Sequence, residues 1–439
     1  MKGEASVKDE DVQWVITVPA IWSETAKQFM RKCANVAGIT DNHLIIALEP
    51  EAASIYCQYV KTRGTDDTFK VSKPGTQYMV VDLGGGTVDI TVHEKLSNGH
   101  LKEIHIASGD ECGGNSLNQS LVQEMIRNFG GPFIKEIEKN YPKVYFDVHR
   151  EFEAAKKAFD LDSDDMSISL PTIFIEALCK AMHLESLQQI LNQGPHIGGL
   201  HLSAGNFLHI SSELVKEKLF DPTVEKNEQL VSTVISSTNN ANITKILLVG
   251  GLAESKYIQD FFRSKFPLQT VIIPRETDLC VVKGAVMFGH TPTRISHRVS
   301  RYTYGSNFSP TFDNSVHDEK RKRVIDGVDR CIGVFDIFFK MGTVIEIDTN
   351  VKRTYVTVDK FQKSLDLSLF ASTKENPTYT NEEGCTKIGD YVLVLRNPTE
   401  ELKRIEVNIV FGNTEISVHA HDASGKLCGI SFHYHDNIP

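Results

Sequence analysis

The amino-acid sequence predicts a mixed α/β region followed by an antiparallel β-region. Two stretches indicate the α/β part: the β-branched run Val12–Val18 precedes a helical pattern, and the apolar run Ile246–Val249 leads through paired glycines into another helix. A change of period indicates the second part, because apolar and polar residues alternate over 364–369 and again over 405–409. Such short alternating runs, separated by turn residues, are typical of antiparallel sandwiches and barrels.

Composition and charge exclude several classes of protein. Of the 439 residues, 41% are hydrophobic and 24% are charged, which is the balance of a globular chain with enough apolar material for a core. The 57 acidic residues outnumber the 47 basic ones, so the net charge is −10 and no nucleic-acid partner is expected. The sequence shows neither a secretory h-region nor an apolar run of membrane-spanning length, which predicts a cytoplasmic protein without membrane association.

The first elements follow from hydrophobic spacing and capping residues. A helix is predicted over about 23–37, with Ser23 as its cap, followed by a buried strand, Leu44–Leu48, and a second helix, Glu51–Val60. The apolar positions that indicate the first helix are Phe29, Met30, Cys33 and Ala37. A polar stretch then leads to a new group of elements that begins at residue 78.

Helices are predicted next over about 115–140, 147–159 and 278–288. Between residues 294 and 323, seven basic residues face three acidic ones, which indicates a linker or a long loop. The run Lys320–Arg323 could be a localisation signal or a patch for an acidic partner, and a solvated loop is the favoured interpretation.

The most specific motif is a glycine turn between two strands. Consecutive glycines let backbone N–H groups approach phosphate oxygens closely. Because residues 88–92 alternate, the turn joins two strands instead of opening a helix, so it is neither a P-loop nor a Rossmann turn. Asp82 ends the apolar strand and could hold a hydrated Mg²⁺, whereas a hairpin with incidental glycines is the alternative. The residues of the motif are Asp82, Gly84, Gly85, Gly86, Thr87 and Asp89.

Three further motifs are weaker when each is taken alone. Glu49 follows a buried strand and precedes a helix, where a carboxylate could orient the water that attacks a γ-phosphate, although the helix dipole also favours an acid there. Gly250 and Gly251 would let a nucleoside lie against bare backbone. Lys156 and Lys157 could contact an adenosine or a phosphate, or simply form a solvated face.

Taken in order, these motifs resemble those of the seventy-kilodalton heat-shock chaperone family, within the actin-like ATPase superfamily. Val15–Pro19 is similar to the strand before the family's catalytic acid, and Glu49–Ala53 to the acid motif itself. The segments Lys283–Ala285 and Tyr302–Gly305 resemble the divergent member-12 branch of the family. The resemblance covers nearly the whole chain, including the C-terminal β-region.

The resemblance implies a ribonuclease H-like α/β ATPase that binds ATP and Mg²⁺, followed by an antiparallel β-sandwich that binds polypeptide. Residues 1–77 would be the remainder of ATPase lobe I and residues 78–292 lobe II. Residues 293–325 would be a linker with the first β segment, and 326–439 the sandwich.

Roles for individual residues also follow from the resemblance. Glu49, Asp82 and Asp89 would be catalytic, with Asp82 holding Mg²⁺ through water, and Pro19 with Lys27 would form a switch pair that senses closure of the lobes. The implied nucleotide-binding residues are Gly84, Gly85, Gly86, Thr87, Glu153, Lys156, Lys157, Gly250, Gly251 and Asp278.

Three departures from the family pattern shape the prediction. The family's first phosphate-binding hairpin would precede Val12 and is not found in the sequence, which predicts an N-terminally incomplete ATPase with hydrolysis weakened or lost. The cationic segment 294–298 replaces an acidic-apolar linker, so docking of the linker is not expected. Leu252 and Glu254 stand where the family has a small polar residue and an arginine.

The predicted function is that of a chaperone that binds ATP and polypeptide clients, with no oligomeric state assigned. One alternative is a non-enzymatic pseudo-ATPase that serves as an interaction or signalling scaffold. A sugar or acetate kinase of the same superfamily is the other, and the β-pattern over 350–439 counts against it.

Overall fold

The N-terminal elements form a small lobe in which a two-stranded parallel sheet carries one helix on the crossover and one at its end. The computed structural model describes residue 8 and residues 11–59, 71–185, 189, 196–197, 200–203, 205–238, 242–325, 327–357, 360–395, 399–422 and 428–434. The elements of the small lobe are β1 (Trp14–Val18), α1 (Glu24–Val36), β2 (Leu44–Leu48) and α2 (Glu49–Cys57). β1 and β2 pair in parallel, with Val18 opposite Leu48.

Capping explains where α1 begins. The Oγ of Ser23 accepts the N–H of Ala26, as predicted. Of the apolar positions expected along α1, Met30 packs against the core of the small lobe, but Phe29 is 56% exposed and the buried positions are Lys27 and Ala34. α2 begins at Glu49, two residues before the predicted start, because the fixed φ of Pro50 suits the first turn of a helix.

The middle of the chain forms a large lobe. Its strands and helices up to residue 237 are β3 (Gln77–Leu83), β4 (Val88–Lys95), β5 (Leu101–Asp110), α3 (Gly114–Phe129), α4 (Gly131–Asn140), α5 (Pro142–Ala158), β6 (Asp165–Ser169), α6 (Thr172–Ala181), β7 (His196–Ile197), β8 (Leu200–Ser203), β9 (Phe207–Ser211) and α7 (Asp221–Ser237). A π-helical stretch, Val215–Phe220, leads into α7. The helix predicted over 115–140 is interrupted at Gly130, whose φ of +91° breaks it into α3 and α4.

The remaining elements of the large lobe, and the strand that follows it, are β10 (Lys245–Val249), α8 (Lys256–Lys265), β11 (Thr270–Ile272), α9 (Cys280–His290) and β12 (Ile295–Val299). Downstream lie β13 (Thr303–Phe308), β14 (Lys322–Ile325), β15 (Val328–Cys331), β16 (Val334–Phe339), β17 (Val344–Glu346), β18 (Thr349–Val356), β19 (Ser364–Ser372), β20 (Cys385–Val394), β21 (Arg404–Phe411), β22 (Ser417–Asp422) and β23 (Gly429–Tyr434). Among the described residues, no helix combines the length and the apolar character that crossing a bilayer requires.

The large sheet organises the large lobe. Within the described residues it contains seven strands in the order β11-β10-β3-β4-β5-β12-β17. One face packs against α3 to α8 in the main apolar core, which includes Phe152 and Phe220. The other face packs against α2 and α9. Gly284 in α9 allows this contact, because a Cβ there would lie 1.7 Å from the carbonyl oxygen of Ala52.

The strand β12 contradicts the expectation that the cationic linker does not dock. Ile295 and His297 pair in parallel with Leu101 and Lys102 of β5, so the linker extends the large sheet. The expectation followed from the cationic residues Arg294 and Arg298, which stand where the family has an acidic-apolar linker. In the structure Arg298 of this strand is paired with the buried carboxylate of Glu51, as described below.

Two antiparallel sheets form the C-terminal part of the described chain, and we call them the sheet pair. One has the order β16-β13-β19-β20-β23 and the other β18-β21-β22. Their inner faces share one apolar core that includes Leu369, Leu393, Val407 and Ile409. The alternating runs 364–369 and 405–409 are confirmed as antiparallel strands, in β19 and β21. The run Lys320–Arg323 is not a loop throughout, because Lys322 opens the β14–β15 hairpin.

Candidate functional site

Three carboxylates converge where the small lobe meets the large sheet. Glu49 is the first residue of α2, directly after β2. Asp82 lies near the end of β3 and Asp89 near the start of β4, and the antiparallel register places them opposite each other. Asp82 is 3% exposed and Asp89 is 1% exposed. The strand alternation that predicted a hairpin therefore also places both aspartates at the same level of the sheet.

Burial raises the pKa values of all three carboxylates, and the charge of a neighbouring carboxylate adds to this at Glu49 and Asp82. Burial, with a contribution from the charge of Asp89, raises the pKa of Glu49 from 4.5 to about 7. Burial raises the pKa of Asp82 well above its ordinary value, and the charges of Glu49 and Asp89 add to this. Burial also raises the pKa of Asp89, although its Oδ1 accepts the N–H of Ile21 at 2.9 Å. A cation placed among these groups would favour their charged forms.

The glycine turn is anchored by the start of α3. The carbonyl oxygens of Gly84, Gly85 and Gly86 accept the N–H groups of Gly114, Asn115 and Gly113 at 2.7–3.2 Å. A Cβ on Gly113 would lie 2.7 Å from the first two of these oxygens. Because the carbonyls face α3, the opposite side of the turn is left for a ligand, and Cβ atoms on Gly85 or Gly86 would meet open space. Gly113 was not among the predicted site residues, although the paired glycines at 113 and 114 are a signal that could have indicated it.

Gly250 joins the second glycine motif to the carboxylates. Its φ is +89°, and a Cβ there would lie 2.5 Å from Oδ1 of Asp82. The N–H of Gly250 donates to the carbonyl of Thr277 at 3.0 Å, which brings the short helical turn containing Asp278 to the same place. Gly251 follows in open space. The structure therefore brings the predicted residues Asp82, Gly250, Gly251 and Asp278 together.

The predicted lysines have different surroundings. Lys156 is 2% exposed, and its Nζ donates to Oδ1 of Asn118 at 2.9 Å and to Oε1 of Glu153 at 2.7 Å. Lys156 thus supports the start of α3, and burial lowers its pKa. Lys157 is half-exposed and forms an ion pair with Glu254, which raises its pKa. This pair joins α5 to the segment after Gly251, the two sides between which a nucleoside is predicted to lie.

The two predicted switch residues lie at different places in the small lobe. The carbonyl of Pro19 accepts the N–H of Trp22, in the turn that also directs the N–H of Ile21 to Asp89. Lys27 is 7% exposed and is paired with Glu24 at 2.8 Å. It lines a cavity of about 80 Å³ together with residues of β5, β12 and the β21–β22 turn. Lys27 therefore lies at the junction of the small lobe, the linker strand and the sheet pair.

Two arginines of the linker were not among the predicted site residues. Arg298 pairs with Glu51 of the acid motif, and the guanidinium of Arg301 donates to the carbonyl of Ile21. The charge of Arg301 lowers the pKa of Asp89, opposing the effect of burial. The sequence carries no local signal for these contacts, since the partners are hundreds of positions apart.

A separate open groove of about 1140 Å³ lies between α3, α5 and the start of α7. Its lining includes Glu153 and His149 but none of the three carboxylates, so it is distinct from the cluster described above. Among the described residues, no group of three or more His, Cys, Asp or Glu side chains could hold a metal ion by itself. Any cation at the carboxylates would therefore need ligands from water or from another bound molecule.

Comparisons with known proteins identify relatives of this chain. Residues 1–193 match the family model described as Hsp70 protein. Human heat shock 70 kDa protein 12A is 30% identical over 470 aligned positions, which cover 94% of this chain and 69% of the relative. The mouse protein of the same name gives the same identity and coverage. Human heat shock 70 kDa protein 12B is 29% identical, over 95% of this chain and 70% of the relative.

Proposed function

Because the chain belongs to the Hsp70 family of actin-like ATPases, together with the heat shock 70 kDa protein 12 relatives, we propose that it is a chaperone that binds Mg-ATP and polypeptides. The observation that carries the proposal is the convergence of three buried carboxylates with two glycine turns. Gly250 lies against Asp82, and Asp82 lies opposite Asp89, so the predicted phosphate, metal and nucleoside contacts share one cleft.

The residues present fit ATP and Mg²⁺. The carboxylates have raised pKa values in the absence of a cation, and hard cations prefer oxygen ligands and water. Asp82 would hold the hydrated ion, the turn from Gly84 to Thr87 would receive the phosphates, and Gly250 and Gly251 would lie under the nucleoside. Bound Mg²⁺ supplies positive charge that offsets the phosphates and the transferring group.

Glu49 would orient the attacking water in its charged form. Asp89 would hold a second water, oriented by the Oγ1 of Thr87, which donates to Asp89 at 2.8 Å. We propose that ATP hydrolysis by this chain is weakened or lost. Among the described residues, the charge that offsets Asp89 comes from Arg301, whose guanidinium is already bonded to a backbone carbonyl.

We further propose that the sheet pair is a β-sandwich that holds polypeptide clients at one end. Phe308 ends β13, Phe361 precedes β19 and Val394 ends β20, and the strand register places all three at the same end of the five-stranded sheet. Each is at least 50% exposed. Exposed apolar side chains grouped in this way are typical of protein-binding surfaces.

A non-enzymatic scaffold is the second candidate, and the Lys157–Glu254 ion pair favours it. The pair connects the two sides of the proposed nucleoside site, so nucleotide entry would have to displace it. The relatives of the chain are Hsp70 proteins, which disfavours a sugar or acetate kinase.

Titration calorimetry with Mg-ATP on the full chain tests the proposal. We expect micromolar affinity that is lost in the Gly86→Val variant, whose added side chain enters open space at the phosphate turn and leaves the fold intact. Gly131→Ala is the matched control, because its Cβ makes only an ordinary contact with Ile126 at 3.7 Å. Absence of Mg-ATP binding to the unmodified chain would reject the ATPase proposal in favour of the scaffold.

Fluorescence anisotropy with a labelled unfolded polypeptide tests the client-binding end. Phe308→Ser with Phe361→Ser is expected to weaken binding, whereas Val286→Ser is not, because Val286 is 69% exposed on α9 of the large lobe. Equal losses in both variants would locate client binding elsewhere.

A further inference from the structure

Arg298 joins three parts of the molecule that are far apart in sequence. It lies on β12, a strand of the large sheet that the chain leaves to enter the sheet pair, and is 9% exposed. Its Nε and Nη2 donate to the two carboxylate oxygens of Glu51, each at 2.7 Å, and its Nη1 donates to the carbonyl of Gly412 at 2.5 Å. Because a two-pronged pair fixes orientation as well as distance, α2, the linker strand and the sheet pair are held at one point.

Polar contacts orient the inner face of α2. Glu51 is 1% exposed and lies two residues after Glu49. One turn further along, a hydrogen bond of 2.7 Å joins Ser54 Oγ to Tyr78 Oη on β3, and one of 2.9 Å joins it to Nδ1 of His93. A buried carboxylate that loses its arginine partner is strongly destabilised, so the orientation of α2 depends on Arg298.

The β21–β22 turn reaches the same place from the sheet pair. The carbonyl oxygen of Gly412 accepts a hydrogen bond from Nη1 of Arg298, and the Oγ1 of Thr414 donates to the carbonyl of Ile46 in β2 at 2.7 Å. β2 leads directly into Glu49. The β21–β22 turn therefore contacts both β2, the strand that precedes Glu49, and Arg298, the arginine that pairs with Glu51.

We propose that Arg298 is a positioning residue that ties the placement of Glu49 to the docking of the β21–β22 turn. In the docked arrangement the guanidinium is shared between Glu51 and Gly412, and α2 is fixed. When the turn moves away, Arg298 loses one of its anchors, α2 loosens and Glu49 leaves the position from which it orients water. The proposal rests on the proposed ATPase function only for the last of these steps.

Hydrogen exchange of the full chain without nucleotide tests the structural step. We expect amide exchange in 49–57 to be about 10-fold faster or more in Arg298→Gln than in the unmodified chain. Arg298→Lys should show an intermediate rate, because lysine keeps the charge without the planar fork. Arg353→Lys is the matched control, since Arg353 makes a similar pair with Asp336 entirely within the sheet pair.

A double variant keeps the test valid if Arg298→Gln unfolds. Arg298→Gln combined with Glu51→Gln removes both buried charges and is expected to restore folding while 49–57 stays exchange-labile. Arg31→Gln separates docking from direct contact, because the Arg31 guanidinium donates to Glu415 of the same turn and to Asp41 ahead of β2. It should speed exchange in the turn and, more weakly, in 49–57. Unchanged exchange of 49–57 in all Arg298 variants would overturn the proposal.

Single-turnover hydrolysis and Mg-ATP affinity test the catalytic step. We expect the Arg298→Lys variant to bind Mg-ATP within about 2-fold of the unmodified chain while its hydrolysis rate falls about 10-fold, since small misplacements of a catalytic group have large effects on rate. A parallel loss of affinity and rate would mean that Arg298 acts on stability alone. If the unmodified chain hydrolyses nothing, hydrolysis is lost as the proposed function allows, and the exchange experiment alone decides whether Arg298 couples the turn to α2.

Discussion

The small lobe and the large lobe contribute to the same cleft but are built on very different scales. The small lobe has a two-stranded sheet and a core of a few residues, among them Val18, Ala34 and Leu48. The large lobe supplies Asp82 and Asp89 from the interior of the large sheet. The position of Glu49 therefore depends on contacts that the small lobe receives from α9, β12 and the sheet pair, whereas the aspartates are held by their own sheet.

The largest loss of stability is expected when the packing of α9 against α2 is disrupted. Gly284→Val is expected to destabilise the protein by about 4 kcal/mol or more, because its side chain would overlap the backbone of α2. Thermal unfolding measures the loss, with Val286→Ala as the exposed control on the same helix. A stable Gly284→Val variant would show that α2 does not need α9.

The pH dependence of stability tests the position of Glu49, the carboxylate that the small lobe supplies. The pKa of Glu49 is raised from 4.5 to about 7, so the folded state holds the proton more tightly than the unfolded state. The stability from this group is complete below pH 4.5 and is lost as the pH rises through 7. At pH 8 without Mg²⁺ the loss is about 3 kcal/mol, and Glu49→Gln should remove most of it.

Denaturant titrations between pH 4 and pH 8 measure this effect. Asp278→Asn is the control, because it removes an acid from the same cleft outside the three-carboxylate cluster. A Glu49→Gln variant with the same pH profile as the unmodified chain would contradict the placement of Glu49 beside the aspartates. Single-turnover hydrolysis, where present, should rise over the same interval, because the charged carboxylate orients the water.

On the side of the large lobe, two neighbouring glycines give a direct contrast. Gly113→Ala is expected to weaken Mg-ATP binding by about 10-fold, because its Cβ would displace the carbonyls that anchor the phosphate turn. Gly114→Ala should bind normally, since its nearest neighbour would be Nζ of Lys156 at 3.7 Å. Calorimetry on both variants measures the difference, and equal affinities would show that the turn does not require this anchor.

The smallest expected effects concern ion pairs. Arg31→Gln should cost about 1 kcal/mol, because the pair with Glu415 is largely buried between the small lobe and the sheet pair. Lys226→Gln in the large lobe should cost less than about 0.5 kcal/mol, because its pair with Asp110 is solvent-exposed. Urea denaturation of the two variants tests which one loses more stability. A larger loss in Lys226→Gln would contradict the conclusion that the small lobe depends on contacts from other parts of the molecule.

Local patterns in the sequence were sufficient for much of the fold and for part of the site. The β3–β4 hairpin, the cap at Ser23 and the strands β19 and β21 follow from alternation, capping and turn residues over short distances. The opposed aspartates follow from the same alternation, because strand register is fixed by a turn of known length.

Other features depended on contacts between distant segments. The buried face of α1 could not be inferred from Phe29 and Cys33, since Lys27 is buried through its pair with Glu24. The docking of β12 was missed because the pairing of Arg298 with Glu51 spans 247 positions. The charge of Arg298 alone did not indicate docking, because the carboxylate that neutralises it comes from a distant part of the sequence.

The position of β17 determines whether the protein stays together when its chain is cut. From β12 the chain passes into the sheet pair through β13, returns to the large sheet as β17, and enters the sheet pair again as β18. A protease cut in the exposed stretch 313–320 would therefore leave two fragments that hydrogen-bond to each other in the large sheet and in the five-stranded sheet of the sheet pair. The nicked protein should stay associated and migrate as one particle under native conditions, separating only when denatured.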